Sequence, residues 1–279
     1  SGHFVKMIHN GIEYVEMQLL AECYSILKSQ RLSNDEIASV FESWMKDLNS
    51  YLLGISVEIL RKKEGDEYLL DYILDKAANK GTGKWTTISI ADSGEPATMI
   101  PAALFARYLS FFKEKRENAA SVFSAPIPGN DISALQLKEA YQFSRIINHH
   151  QGFSLIVRVS DQNNWKVDLS EIARIWTEGC IIKSDLIKEL VGSLKVNNSI
   201  LLNDKLSPII KRTHASAQSV TMECIKKGIH IPCLMEAISF FHGIKTANSS
   251  ANLIQAQRDY FGAHTYQRID TPPESSHHT

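Results

Sequence analysis

The stretch Ser33-Asn34-Asp35-Glu36-Ile37-Ala38-Ser39-Val40-Phe41 carries the signature of a helix start. In the pattern Ser-x-x-Glu, the serine hydroxyl and the glutamate carboxylate each satisfy a free backbone N–H at the first helical turn. Asp168-Leu169-Ser170-Glu171-Ile172-Ala173-Arg174-Ile175-Trp176 repeats the arrangement, and both stretches read as capping boxes followed by amphipathic helices. Outward from these two points the 3.6-residue period dominates, and alternating β-branched runs are few. Further helices are expected at about 3–29, 50–62, 66–77, 97–118, 131–160, 180–195, 207–227, 232–245 and 249–263. The expected class is all-α.

The two capped stretches also align with each other, Glu36 to Phe41 against Glu171 to Trp176. At nearly the same offset, Gly94 and the apolar run Met99 to Leu104 align with Gly228 and the run Cys233 to Ile238. This predicts a duplicated helical unit, about 1–125 and 131–265, joined through the Pro/Gly-rich residues 124–130, which cannot continue a helix. One domain over about 1–267 with a tail at 268–279 is expected; two free units is the alternative.

Composition narrows the function. With 30 Lys+Arg, 31 Asp+Glu and a formal charge of −1, the chain lacks the basic excess with which proteins hold nucleic acid, and no nucleic-acid partner is expected. The 44% hydrophobic and 22% charged content is that of a globular protein. No apolar run approaches the roughly 20 residues of a membrane span, and the N-terminus lacks a secretory layout, so no membrane partner and a cytoplasmic address are expected. Cys23, Cys180, Cys224 and Cys233 are scattered singly in apolar helical patterns and read as core residues, with no disulfide and no metal indicated. There is no G-x-G-x-x-G after a strand, and Lys80-Gly81-Thr82-Gly83-Lys84 does not meet the Walker A spacing.

Three segments carry chemistry. In the first helix Lys6, His9, Asn10, Glu13 and Tyr14 recur at the spacing normally filled by core residues, so five polar side chains share one stripe. Such a stripe reads as a base and acid pair on a cleft wall or as a solvated face with helix ion pairs. In Asn79-Lys80-Gly81-Thr82-Gly83-Lys84-Trp85-Thr86, two glycines at a helix start with a lysine and a hydroxyl suit an anion, or form a plain glycine turn. In Gln255 to His264, Arg258 and His264 either grip an anion or serve as a surface arginine and a structural histidine.

Taken together, GHFVKMIHNGIEY (2–14), ILDKAANKGTGKW (73–85) and LIQAQRDYFGAHTY (253–266) resemble the signature segments of 6-phosphogluconate dehydrogenase, in the same order along the chain. The resemblance implies the family's duplicated all-helical domain, with its N-terminal dinucleotide-binding domain absent here. It implies that Lys6 is the general base and Glu13 the general acid, that His9, Asn10 and Tyr14 hold the sugar acid, and that Lys80, Thr82 and Arg107 bind its phosphate. It also implies a homodimer in which Arg258 and His264 complete the partner's site. The implied activity is oxidative decarboxylation of 6-phosphogluconate to ribulose 5-phosphate with NADP as cofactor, held mainly by the absent domain, so that this chain alone is inactive. An inactive dimerisation or sugar-phosphate-binding module with the same fold is the alternative. The chain departs from the family pattern at Val15 and Glu16, which point away from the stripe, and resembles it only loosely over 160–205.

Overall fold

The computed structural model describes residues 2–78, 81–123, 127–196 and 199–271, and the backbone of 275–276. Its described elements are twelve α-helices, one 3-10 turn and two short two-stranded ladders, so the class is all-α. None of these helices is long and apolar enough to cross a membrane. The chain divides into two compact units, 1–239 and 240–279.

Within the first unit two long helices form the frame. α1 (Gly2–Ser29) buries Ile8, Ile12, Val15, Leu19, Cys23 and Ile26, a stripe at intervals of three and four residues. α7 (Ala134–Gln162) is apolar or buried around most of its girth, as a central helix must be. The two meet at Gly152, where an added Cβ would stand 2.5 Å from the Ile12 side chain; only a glycine lets the helices approach this closely. Each long helix also caps the start of another helix. Glu22 of α1 accepts the N–H groups of Cys233 (2.8 Å) and Leu234 (2.9 Å) at the start of α11 (Pro232–Ile244). Gln151 of α7 accepts the Met99 N–H (3.0 Å) at the start of α5 (Met99–Phe111).

Between these come α2 (Asn34–Leu48), α3 (Tyr51–Arg61), α4 (Thr82–Ser93) and α6 (Lys113–Val122), then α8 (Leu169–Trp176), α9 (Asp185–Val196) and α10 (Leu206–Lys227). α4 and α10 both end on a left-handed glycine, Gly94 and Gly228, and each is followed by a 13-residue helix. Of the expected join, 124–126 lies outside the described residues; beyond it, Gln30 Nε2 donates to Asn130 Oδ1 and to the Ile132 carbonyl, both at 2.7 Å.

Several expectations are corrected. No helix forms over 66–77: a turn at Gly65-Asp66 closes a ladder of β1 (Lys63–Glu64) on β2 (Glu67–Tyr68), and a 3-10 turn follows at Leu69–Tyr72. The apolar residues Tyr72, Ile73 and Leu74 are consecutive and exposed, so the segment has no stripe to bury. The helix expected over 97–118 breaks at Phe112, whose ψ of 47° is non-helical, giving α5 and α6. Helix α4 begins at the helix start that the glycine turn implies, but its extent was not legible, because its threonines and isoleucines weaken both propensity and period. Ser33 and Glu36 form a full capping box, as do Ser133 and Gln136, but the Asp168 cap is one-sided: Asp168 accepts the Glu171 N–H while the Glu171 carboxylate pairs with Arg174.

A candidate active-site cleft on the first helix

A cleft of about 720 Å³ opens between the first turns of α1 and the short helix α8. One wall is polar: Lys6, His9, Asn10 and Glu13, one turn apart on α1. The other is mostly apolar: Ile172, Ile175 and Trp176 of α8, then Gly179, Cys180 and Ile181 in the turn that follows. That turn is held in place from its far side, where Tyr51 N–H donates to the Lys183 carbonyl (3.1 Å) and Asp185 N–H to the Asn49 carbonyl (3.0 Å). A bridge between Ser50 and Ser184 thus ties the starts of α3 and α9 together.

Burial differs along the polar wall. Lys6 is exposed at the mouth, Asn10 and Glu13 are half-buried, and His9 is buried. The His9 ring meets Trp176 edge to face, with centroids 5.5 Å apart, and Trp176 rests in turn on Phe153 of α7. His9 Nδ1 stands 3.3 Å from Asn10 Oδ1 and 4.0 Å from the Glu13 carboxylate. Burial lowers the His9 pKa, with Lys6 acting in the same direction against the Asn10 hydrogen bond, so the ring is held neutral. Burial raises the Glu13 pKa, and the nearby Arg107 cation opposes that rise only in part. Glu13 is therefore biased toward the protonated form, which is the form able to donate a proton.

A second cluster sits one turn further along α1. The Arg107 guanidinium from α5 stacks over the Tyr14 ring, 3.5 Å from its centroid, and its Nη2 lies 3.3 Å from the Met17 sulfur. Tyr14 also packs on Gly83 of α4, where a Cβ would come within 2.7 Å of the ring. The second glycine of the Gly81-Thr82-Gly83 turn is thus needed for packing, whereas the first adopts φ 89°, a left-handed conformation that opens α4 at Thr82. Thr86 fixes α4 to α1: its hydroxyl lies 3.0 Å from the Met7 carbonyl. The half-buried Arg107 is pushed down by burial and held up by Tyr14 and Glu13, and remains a cation.

The structure therefore brings Lys6, His9, Asn10 and Glu13 into one cleft, and Tyr14, Arg107 and the turn at Thr82 into a cluster beside it. Lys80 lies outside the described residues. Arg258 and His264 belong to the second unit: Arg258, on α12 (Ala251–Gly262), donates to Gln255 Oε1 (3.1 Å), and the exposed His264 ring meets Phe261 edge to face. Among the described residues no group of three or more His, Cys, Asp or Glu is placed to hold a metal ion.

The apolar wall was not legible in the sequence. Cys180, read as a core cysteine in a helix, stands in the turn and lines the cleft, half-buried, with its thiol on the Trp176 carbonyl (3.1 Å); the other three cysteines are buried. A signal was present in Trp176 and in the turn glycine three residues past α8, Gly179 at φ 67°. Glu16 is buried, as expected of a residue facing away from the stripe, but in an ion pair with Arg145 (2.8 Å), with His149 Nδ1 3.7 Å away. Nothing local in the sequence announces that pair.

The family described as "6-phosphogluconate dehydrogenase, C-terminal domain" matches residues 2–279. This chain belongs to that family. The decarboxylating 6-phosphogluconate dehydrogenases of Lactococcus lactis (strain IL1403) and Escherichia coli (strain K12) are each 42% identical to it over 281 residues, covering 97% of this chain and 60% of the relative. The chain thus spans about 60% of the length of the curated relatives it matches. Among solved structures, Plasmodium falciparum 6-phosphogluconate dehydrogenase superposes with a TM-score of 0.95 at 39% identity, over 99% of this chain and 62% of that one. That enzyme is described in its apo form and in complexes with its cofactor NADP+ and its substrate 6-phosphogluconate.

Proposed function

We propose that this chain is the substrate-binding and catalytic helical domain of a 6-phosphogluconate dehydrogenase, which converts 6-phospho-D-gluconate to D-ribulose 5-phosphate and carbon dioxide with reduction of NADP. The observation that carries the reading is the single polar wall of Lys6, His9, Asn10 and Glu13 in a chain that the family matches from residue 2 to 279. His9, Asn10 and Tyr14 hold the sugar acid, and Lys80, Thr82 and Arg107 hold its phosphate. The parallel order of elements supports a duplicated unit, about 1–125 and 131–265, with a tail at 268–279. Exposed Phe105, Phe111 and Phe112 in one unit, and Leu253, Ile254 and Phe261 in the other, support a homodimer in which Arg258 and His264 complete the partner's site. A cytoplasmic setting fits a sugar-phosphate enzyme.

The described residues fit NADP poorly. They contain no strand followed by a glycine-rich turn and helix on which its pyrophosphate could rest, and we assign the cofactor to a separate nucleotide-binding domain. Held by that domain, NADP would supply the acceptor for the hydride lost from C3. The chain's own residues move the protons. Lys6 takes the C3 hydroxyl proton as base and then, as an ammonium, polarises the C3 carbonyl, which lies β to the carboxylate. The C1–C2 bond breaks, carbon dioxide leaves, and its electron pair forms the enediol while Lys6 returns the proton to the C3 oxygen. Glu13, biased toward its acid form by burial, protonates the carbon that lost carbon dioxide, and the proton on the C3 oxygen passes back to Lys6 as the ketone forms.

The test is calorimetric titration of 6-phosphogluconate into the wild type, Arg107→Ala and Lys6→Met, with turnover of Lys6→Met measured in an enzyme carrying its nucleotide-binding domain. Losing one charge-assisted contact in Arg107→Ala should weaken binding by about one to two powers of ten. Lys6→Met should bind within a few-fold of wild type and lose turnover, since a base acts in the transition state. Wild-type affinity in Arg107→Ala, or normal turnover in Lys6→Met, would overturn these assignments.

A further inference from the structure

The described part of the segment that leads into the glycine turn is tied to α5 and α6 by the Asp75 carboxylate and the Ala77 N–H. Between the 3-10 turn ending at Tyr72 and α4 starting at Thr82, residues 73–78 have no regular structure, and the side chains of Ile73 and Leu74 lie in solvent. Apolar burial therefore does not fix the path of this stretch. Asp75 does. Its Oδ1 pairs with Lys113 Nζ (2.9 Å) and its Oδ2 with Arg116 Nη1 (2.9 Å), both from the first turn of α6. Arg116 Nη2 also donates to the Asp75 carbonyl (3.2 Å) and to the Ser110 carbonyl at the end of α5 (3.1 Å).

The network then reaches Arg107. The Ser110 hydroxyl accepts the Ala77 N–H (2.9 Å) and donates to the carbonyl of Arg107 (2.7 Å). Asp75, Arg116 and Ser110 thus join the approach to the glycine turn with the turn of α5 that bears the Arg107 guanidinium. A carboxylate with two cations makes this a network rather than an isolated surface pair, which is the arrangement in which exposed charges have a measurable effect. Its two donors hold the Asp75 carboxyl down at about 2, so it stays ionised wherever the fold does.

We propose that Asp75 is a positioning residue for phosphate recognition: through Lys113, Arg116 and Ser110 it sets the Gly81-Thr82 turn against Arg107 so that both face one phosphate. The inference rests on the substrate reading given above. It gives Asp75, which touches no ligand itself, a reason to be an acid in a segment otherwise free to wander.

The experiment compares Asp75→Asn and Asp75→Glu with wild type in this 279-residue chain. Binding of 6-phosphogluconate and of unphosphorylated gluconate is measured, together with amide hydrogen exchange over 73–86 and the thermal midpoint. Asp75→Asn should bind 6-phosphogluconate ~3–10-fold more weakly, keep gluconate affinity within about twofold, speed exchange over 73–86 only, and leave the midpoint unchanged. Asp75→Glu should recover part of the loss. Equal weakening for both ligands would mean a merely structural role, and unchanged exchange would mean that the clamp does not hold the segment; either overturns the proposal. If wild type does not prefer 6-phosphogluconate to gluconate, the phosphate reading fails and the positioning role with it. A preference kept in full by Asp75→Asn sinks the positioning role alone.

Discussion

Three glutamates of α1 stand in two kinds of surroundings. Toward its N-terminus Glu13 is half-buried at an open cleft, 4.0 Å from His9 Nδ1 and facing Arg107 without an ion pair to it. Further along, Glu16 and Glu22 are buried, Glu16 with one carboxylate oxygen on the Arg145 guanidinium and Glu22 held by two backbone N–H groups of α11 and the Gln18 amide. Burial pushes the Glu13 and Glu22 carboxyls toward the neutral form, and what stands opposite each decides its use. A carboxyl left with weak partners at a cleft is available for proton transfer. One with strong partners in the core is available only for structure.

That contrast is broken most severely at Arg145. Its pKa is drawn down by burial but raised overall by Glu16, and removing the cation strands a carboxylate in the core. Arg145→Met should cost about 3–5 kcal/mol in chemical denaturation, and Arg145→Met with Glu16→Leu should recover most of it. A loss below about 1 kcal/mol in the single variant would show that the pair carries no structural load.

Glu22 gives the next largest effect, and it depends on pH. Its carboxyl is raised by burial from the ordinary 4.5 to about 7, against the hydrogen bonds from Cys233, Leu234 and Gln18. Between those values the unfolded chain has released the proton and the folded chain keeps it. Stability should therefore be greatest below about 4.5 as far as this group is concerned, fall as pH rises, and level off above about 7, a span on the order of 3 kcal/mol. The groups that face it do not confuse the window: Gln18 does not titrate, and the buried thiols of Cys23, Cys224 and Cys233 are raised above their usual range. Glu22→Gln should flatten this slope between pH 4.5 and 7; an identical slope in the variant assigns it elsewhere.

The smallest expected effect on stability sharpens the comparison from the other side. Glu13→Gln removes no ion pair from the core and should move stability by less than about 0.5 kcal/mol, while abolishing most turnover in an enzyme carrying its nucleotide-binding domain. A large drop in thermal midpoint would place Glu13 with Glu16 and Glu22 as a structural residue.

Much of the polar wall was legible because α1 announces itself. Lys6, His9, Asn10 and Glu13 follow the helical period, and a period that places polar residues where a core stripe is expected needs only local geometry to be noticed. The opposite wall could not be found that way. Ile172, Ile175 and Trp176 read as an ordinary amphipathic face, and only the packing of α8 beside α1 turns part of that face into a cleft wall. The 66–77 segment failed for a related reason: its apolar residues suggested a helix, but Tyr72, Ile73 and Leu74 stand in solvent.

The sequence by itself determined the helical class, the cap at Ser33 and the polar stripe of the first helix, because backbone hydrogen bonds and side-chain periodicity act over three or four residues. Tertiary structure alone decided which charges meet. Glu16 finds Arg145 across 129 positions, Glu22 finds the start of α11 across 211, and Asp75 finds Arg116 across 41. Whether a glutamate becomes a proton donor, a core ion or a helix cap depends on its solvation and its partners, and both are set by elements distant in sequence that packing brings together.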